Sequence, residues 1–151
     1  TVHGVSLAAA GSLVMMCGFG GFAFAMRSRQ MVRYFGEVGL IRHGALMMAL
    51  PMIVIAYAPV WWLAVPACFL FGLGFYMMHN TLQINATQMA PQRRGAAVAA
   101  FASCFFLGQA IGVAVGGVLL AAVGTAHIIA AAGAGVWLIG QRFARLRAAR
   151  E

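Results

Sequence analysis

Acidic side chains are almost absent from this chain. It carries ten arginines, no lysine and two carboxylates, Glu37 and Glu151, so only 8% of its 151 residues are charged. A soluble domain has charge on about a quarter of its residues. The shortage excludes an ordinary water-exposed surface. Together with the 64% hydrophobic content, it predicts a protein solvated by lipid.

Motifs for metal binding, disulfides or catalysis are also lacking. The three cysteines, Cys17, Cys68 and Cys104, lie in apolar runs without CxxC spacing, which is typical of small packing residues. Ser103 and His79 could suggest a nucleophile and a base, but no intramembrane acid orients the histidine. We therefore expect no metal site, no cofactor and no enzymatic activity.

The net charge of +8 could indicate a nucleic-acid partner in a soluble protein. Here the arginines form short clusters between apolar runs, which is the pattern of membrane-protein loops. We expect no nucleic-acid binding.

What the sequence does contain is long apolar segments separated by turn signals. A helix rises about 1.5 Å per residue and the bilayer core is about 30 Å thick, so some 20 apolar residues suffice to cross it. Pro59 followed by Trp61 and Trp62 marks one membrane surface, and the basic turn Pro91–Gly95 marks another. The pattern predicts an all-α integral membrane protein with five transmembrane helices, at about 5–26, 40–57, 60–89, 96–123 and 127–143.

The arginines give the orientation of these spans. They fall only within 27–42, 93–94 and 142–150, which are alternate ends of the five predicted spans. Positive residues favour the cytoplasmic side, so these three places and the C-terminus are expected there. The residues 27–39 are expected to form a basic loop that stays in water, and its middle could be a short interfacial helix, with Arg29 and Arg33 one turn apart. The residues that set the topology are Arg27, Arg29, Arg33, Arg93, Arg94 and Gly95.

The hairpin around the basic turn resembles a known family. The runs Gly72-Leu73-Gly74-Phe75, Asn80–Gln83, Ala86–Pro91, Arg94-Gly95 and Gly108–Gly112, with Gly116-Gly117, are similar to the tenth and eleventh helices of a major facilitator superfamily transporter of the drug and sugar exporter branch. The loop Arg33-Tyr34-Phe35-Gly36-Glu37 resembles the one that joins the eighth and ninth helices. It departs from the fullest motif because the acid expected before the arginines is absent.

The resemblance implies that the five spans are helices eight to twelve, in a fragment that lacks helix seven and the N-terminal half. It implies secondary active transport, as an efflux antiporter for a small drug-like or sugar-like molecule, by alternating access in a bacterial inner (plasma) membrane. The implied partners are the lipid bilayer, the missing N-terminal transporter half and the small-molecule substrate. Since the spans contain no Asp or Glu, a proton site would lie in the missing half. The alternative is a stand-alone five-span structural or assembly protein, or an inactive remnant.

Polar residues in the third span are candidates for a substrate cavity. Tyr76, Asn80, Gln83 and Thr87 recur at i, i+4, i+7 and i+11, which places them on one side of a helix. Such a stripe is not expected to face lipid. The alternative is that these side chains only form hydrogen bonds with neighbouring helices.

Two other spans supply further cavity candidates. Gln109, with Phe105 one turn earlier, could orient a substrate through its amide, or bind another helix. Met15 and Phe19 could form a soft apolar wall, or simply pack. The glycines 108, 112 and 116 repeat every four residues, which predicts close approach of another helix.

Overall fold

The computed structural model describes residues 7–149 and contains four α-helices in that range. They are α1 (Leu7–Tyr57), α2 (Ala64–Met89), α3 (Arg94–Val123) and α4 (Thr125–Ala148). Short 3₁₀ turns, Trp61–Leu63 and Pro91–Arg93, precede α2 and α3. No strand occurs within the described residues. The predicted all-α class is therefore confirmed.

The helix α1 is interrupted at one residue. Gly36 has φ 64° and ψ 177°, a conformation that is available almost only to glycine. It separates a first arm, residues 7–35, from a second arm, residues 37–57. The segment expected to be a basic loop is mostly helical: the short helix considered for its middle is part of the first arm, because residues 27–35 continue the helix. They include no glycine or proline, and arginine, glutamine and methionine are good helix formers.

The first arm packs along α2 in the same direction. In the first half of α2, Gly20 of the first arm lies so close to this helix that a Cβ on Gly20 would be 2.6 Å from the backbone nitrogen of Leu73. Further along both helices, Ser28 and Ile84 line one cleft. Residue numbers therefore rise together on the two helices, which run parallel.

The second arm packs along α2 in the opposite direction. Near the start of the arm, Glu37 accepts a hydrogen bond from Asn85. Seven residues later, Gly44 lies against Gly74, where a Cβ on Gly44 would be 2.8 Å from the Gly74 carbonyl oxygen. Along this contact, residue numbers rise on the second arm while they fall on α2. The two arms of α1 therefore run antiparallel to one another, and the chain reverses at Gly36.

The core lies where the two arms meet α2. Phe24 from the first arm, Leu40 from the second and Met77 from α2 form one buried cluster. Met31, Met47 and Leu73 pack around it as partly buried neighbours. Each of these three helical segments thus contributes one buried apolar side chain to the core.

The helix α4 packs antiparallel to the second arm. A Cβ on Gly133 would lie 3.1 Å from the carbonyl oxygen of Ala49, and Gly140 lies directly against Ala45. At the basic end of α4, Arg147 forms an ion pair with Glu37. Small residues thus let these two helices approach along most of their length.

The helix α3 is the least enclosed element. None of its residues is buried. Gly108 and Gly112 have no neighbour within 4 Å of a Cβ position among the described residues, and Gly116 meets only the Cγ2 atom of Ile128, at 3.9 Å. The predicted close approach of a helix to this glycine ladder is therefore not made by the described part of the chain.

Three helices of the described range, 7–149, are long and apolar enough to cross a membrane: Ala8–Tyr57, Trp61–Met89 and Pro91–Val123. The helix α4, which carries three arginines near its C-terminal end, is not among them. By length and composition, the helices therefore establish three candidate spans and not the five that the sequence predicts.

The glycine contacts give a stability prediction. Substituting Gly74→Ala would place a Cβ 2.6 Å from the Gly44 carbonyl oxygen and 2.7 Å from the Met47 Cβ. Since backbone must move to relieve this overlap, we expect a loss of about 1–3 kcal/mol and a lower melting temperature in detergent.

The matched control is Gly112→Ala, which meets no described atom within 4 Å. Alanine favours a helix over glycine by about 1 kcal/mol, so this variant should melt at the same temperature or higher. Equal losses in both variants would contradict the predicted role of Gly74.

Candidate functional site

A cleft between the first arm and α2 contains one of the predicted cavity residues. Asn80 lines it together with Ser28 and Arg29, and the cleft has a volume of about 350 Å³. Its other walls are Phe24, Val32, Thr81 and Ile84. An amide can both donate and accept hydrogen bonds. The cleft can therefore offer a neutral polar contact and one cation to a small molecule, beside apolar walls.

Tyr76 lies one turn before Asn80, on the face of α2 that packs against the first arm. Its ring lies directly against Gly21, where any side chain would overlap the ring carbons. The absence of a side chain at Gly21 therefore gives Tyr76 its position. Tyr76 as a residue is still 40% exposed, so it is accessible as well as packed against the first arm.

The rest of the predicted polar stripe is less informative. Gln83 is half-buried. The hydroxyl of Thr87 donates a hydrogen bond to the Ile84 carbonyl oxygen over 2.6 Å. That bond lies within α2 itself, so it joins Thr87 to neither a cleft nor a neighbouring helix. Of the stripe, Asn80 is the member that lines a described cleft.

Phe105 belongs to an aromatic cluster that joins α3 to α2. Its ring centroid lies 4.9 Å from that of His79 and 6.1 Å from that of Phe75. The His79 ring stacks on Phe75 at 5.1 Å and meets Phe101 at 5.3 Å. These ring contacts attach α3, none of whose residues is buried, to α2. Phe105 thus has a packing role, and sequence analysis missed His79 and Phe101 as its partners.

The other cavity candidates are not brought to the cleft. Gln109 is exposed on α3, one turn beyond Phe105. Met15 and Phe19 are 56% and 50% exposed on the first arm. Of the predicted cavity residues, the structure places Asn80 and Tyr76 against the first arm. The Phe105 ring contacts Phe75, whose ring in turn contacts that of Tyr76.

The predicted topology residues lie at helix ends. Arg27, Arg29 and Arg33 line an open cleft of about 540 Å³ near the end of the first arm. Arg93 ends the 3₁₀ turn before α3, and Arg94 begins α3. Gly95 follows in the first turn of α3, where it is exposed.

Sequence analysis missed a polar cluster that ties three helices together. Glu37 Oε2 accepts hydrogen bonds from Asn85 Nδ2 and from Arg147 Nη2, both over 3.1 Å. Asn85 is buried, and its amide also donates to the Thr81 carbonyl oxygen over 2.8 Å. The cluster connects the second arm, α2 and α4. The one sequence signal was Glu37 itself, since an acid this rare in the chain requires a partner.

This cluster yields a prediction of coupling. Glu37 and Arg147 are each about one-third exposed, at 33% and 34%. Substituting either with glutamine should cost about 1 kcal/mol, intermediate between an exposed and a buried pair. The double variant Glu37→Gln/Arg147→Gln should melt no lower than the worse single variant, because both remove the same ion pair.

The control is Arg29→Gln, which removes the same charge from an exposed arginine of the first arm. Its melting temperature should differ little from that of the parent, and its effect should add to that of Glu37→Gln. Additive losses for Glu37 and Arg147 would contradict the coupling.

Comparison with known proteins identifies the family. The model of the MFS_1 like family matches residues 2–131, which is most of the chain. No curated protein and no solved structure matches the chain. The family match agrees with the apolar helices in indicating an integral membrane protein, and the family is one of transporters rather than enzymes. The chain therefore belongs to the MFS_1 like family of the major facilitator superfamily.

Proposed function

We propose that the protein acts in secondary active transport of a small amphiphilic molecule, drug-like or sugar-like, in the direction of efflux. The observation that carries this proposal is the Asn80 cleft, an opening with polar and apolar walls between two helices of a transporter family. Transporters of this type place the substrate site between helices near the middle of the membrane and expose it to each side in turn.

Five spans are the topology that best accommodates the packing. The reversal at Gly36, whose backbone is not helical, makes the two arms of α1 separate segments that run antiparallel to each other. The second arm has 21 residues, about the length that the bilayer core requires. The helix α4 runs antiparallel to it and is the fifth span, with its arginines beyond the core.

The arginine distribution supports one orientation for these spans. The basic end of the first arm, the turn before α3 and the end of α4 all lie at the same end of the five alternating segments. By the positive-inside rule this end faces the cytoplasm, together with the C-terminus. A bacterial inner membrane is the proposed location.

The resemblance of the hairpin motifs supports correspondence to helices eight to twelve. In a two-half transporter of this kind, an N-terminal half would supply the opposite wall of the site and any acidic group for proton coupling. The unburied α3 surface is consistent with such a neighbour. The coding sequence directly upstream of Thr1 tests this assignment. Seven further apolar spans in frame are expected, and an unrelated gene there would contradict it.

Transport itself is tested with the complete natural gene, expressed in a bacterial strain that lacks its main exporters. Cells are exposed to a panel of uncharged and cationic amphiphiles, and intracellular accumulation is measured. At least one compound should accumulate less when the protein is present. Substituting Asn80→Ala should reduce that effect about fivefold, as expected for the loss of one hydrogen bond of about 1 kcal/mol within a membrane.

The matched control is Gln92→Ala, which removes an exposed amide from the turn between α2 and α3. This variant should export as the parent does, at equal expression. If no compound in the panel responds to the protein, or if both variants lose export equally, efflux through this cleft is wrong. The structural or assembly function would then be the better explanation.

A further inference from the structure

A third cleft lies between the second arm and the C-terminal part of α4. It has a volume of about 650 Å³ and is lined by Arg42, Arg142 and Arg145, together with Trp137 and Leu138. We call it the basic cleft. A hydrogen bond from Gln141 Nε2 to the Arg42 carbonyl oxygen, 3.3 Å long, holds its two sides together.

The basic cleft is divided along its length into a charged and an apolar part. On α4, Leu138 lies four residues before Arg142 and seven before Arg145, spacings that place these side chains on one helix face, and Trp137 lies one turn before Gln141. The helix rises about 1.5 Å per residue, so the apolar part lies roughly 6–12 Å deeper along the axis. Trp137 and Leu138 are also 42% and 59% exposed, so their surfaces are available for contact.

No carboxylate within residues 7–149 neutralises the three arginines. Glu37 is the only acidic residue in that range, and its Oε2 is already bound by Arg147 and Asn85. All three arginines of the cleft are exposed. Three cations next to an open apolar surface form a site that is complementary to an anion with a hydrocarbon tail.

We propose that the basic cleft binds one anionic phospholipid. The headgroup phosphate lies among Arg42, Arg142 and Arg145, because guanidinium groups bind phosphate oxygens through paired hydrogen bonds. An acyl chain lies against Trp137 and Leu138. Basic pockets between helices at a membrane surface have the geometry that such headgroups require. This inference is independent of transport and would hold for a structural protein as well.

The position of Trp137 gives a direct readout of the occupant. The protein is reconstituted into phosphatidylcholine vesicles in which about one lipid in ten carries brominated acyl chains, which quench tryptophan fluorescence on contact. The brominated lipid is either phosphatidylglycerol or phosphatidylcholine. The signal of Trp137 is the difference between the protein and its Trp137→Phe variant, which removes the contributions of Trp61 and Trp62.

We expect brominated phosphatidylglycerol to quench Trp137 more than brominated phosphatidylcholine at the same fraction. The preference should fall about fivefold for each arginine removed, the usual contribution of a basic residue near anionic lipid. The variant Arg142→Gln/Arg145→Gln should therefore lose most of it. The control, Arg93→Gln/Arg94→Gln, removes the same charge at the turn between α2 and α3 and should keep it.

Three results would overturn the proposal. Equal quenching by the two brominated lipids would show that the cleft does not select an anionic lipid. Equal losses in the two double variants would assign the preference to overall charge and not to the cleft. If millimolar glycerol phosphate in solution abolishes the preference, the site binds a free phosphate group and not a lipid.

Discussion

The structure depends on the close approach of helix backbones at glycine. Apolar side chains gain little by leaving lipid for a protein interior, so helices in a membrane associate through van der Waals contact and hydrogen bonds. Gly20 and Gly72 admit the first arm to α2, while Gly44 and Gly74 admit the second arm. The two pairs lie at neighbouring levels of α2, which is therefore enclosed by both arms. Without these four positions the two arms could not pack against the same helix.

The reversal of the chain at Gly36 makes this double contact possible. Because φ is positive there, the segment that follows can fold back and run against the same stretch of α2. The reversal also sets the position of Glu37, the next residue. Its carboxylate reaches Asn85 on α2 and Arg147 on α4 from this position. One backbone conformation thus connects the packing of the arms with the only ion pair among the described residues.

The sequence was sufficient to predict those features that depend on composition and on local signals. The all-α class follows from the apolar runs. The ends at Tyr57, Met89 and Val123 coincide with predicted span ends, because Pro59, Pro91 and Gly124 are strong local breaks. The charges at 27–33 did not end a helix, since charge determines whether a segment leaves the bilayer and not whether it is helical. A loop was therefore predicted where the helix continues to Gly36.

The site was predicted less well, because its contacts join distant parts of the chain. A periodicity on α2 selected Asn80 and Tyr76, and both lie against the first arm. It could not distinguish them from Thr81 and Asn85 on the adjacent face, which are the buried polar residues of that helix. Glycine spacing had a similar limit. It identified the ladder on α3, which is open in the described residues, whereas the closely packed glycines include Gly20 on the first arm.

The scarcity of acid that distinguishes this sequence also determines how its positive charge is distributed in space. With one carboxylate among residues 7–149, only one arginine of α4 can be neutralised within that part of the chain, and the ion pair selects Arg147. The same carboxylate oxygen also accepts a hydrogen bond from Asn85 on α2. Arg142 and Arg145 lie on the same helix but retain their full charge beside Arg42. The contact that joins three helices at the basic end therefore also leaves the neighbouring cleft positively charged, because it occupies the single acid of residues 7–149.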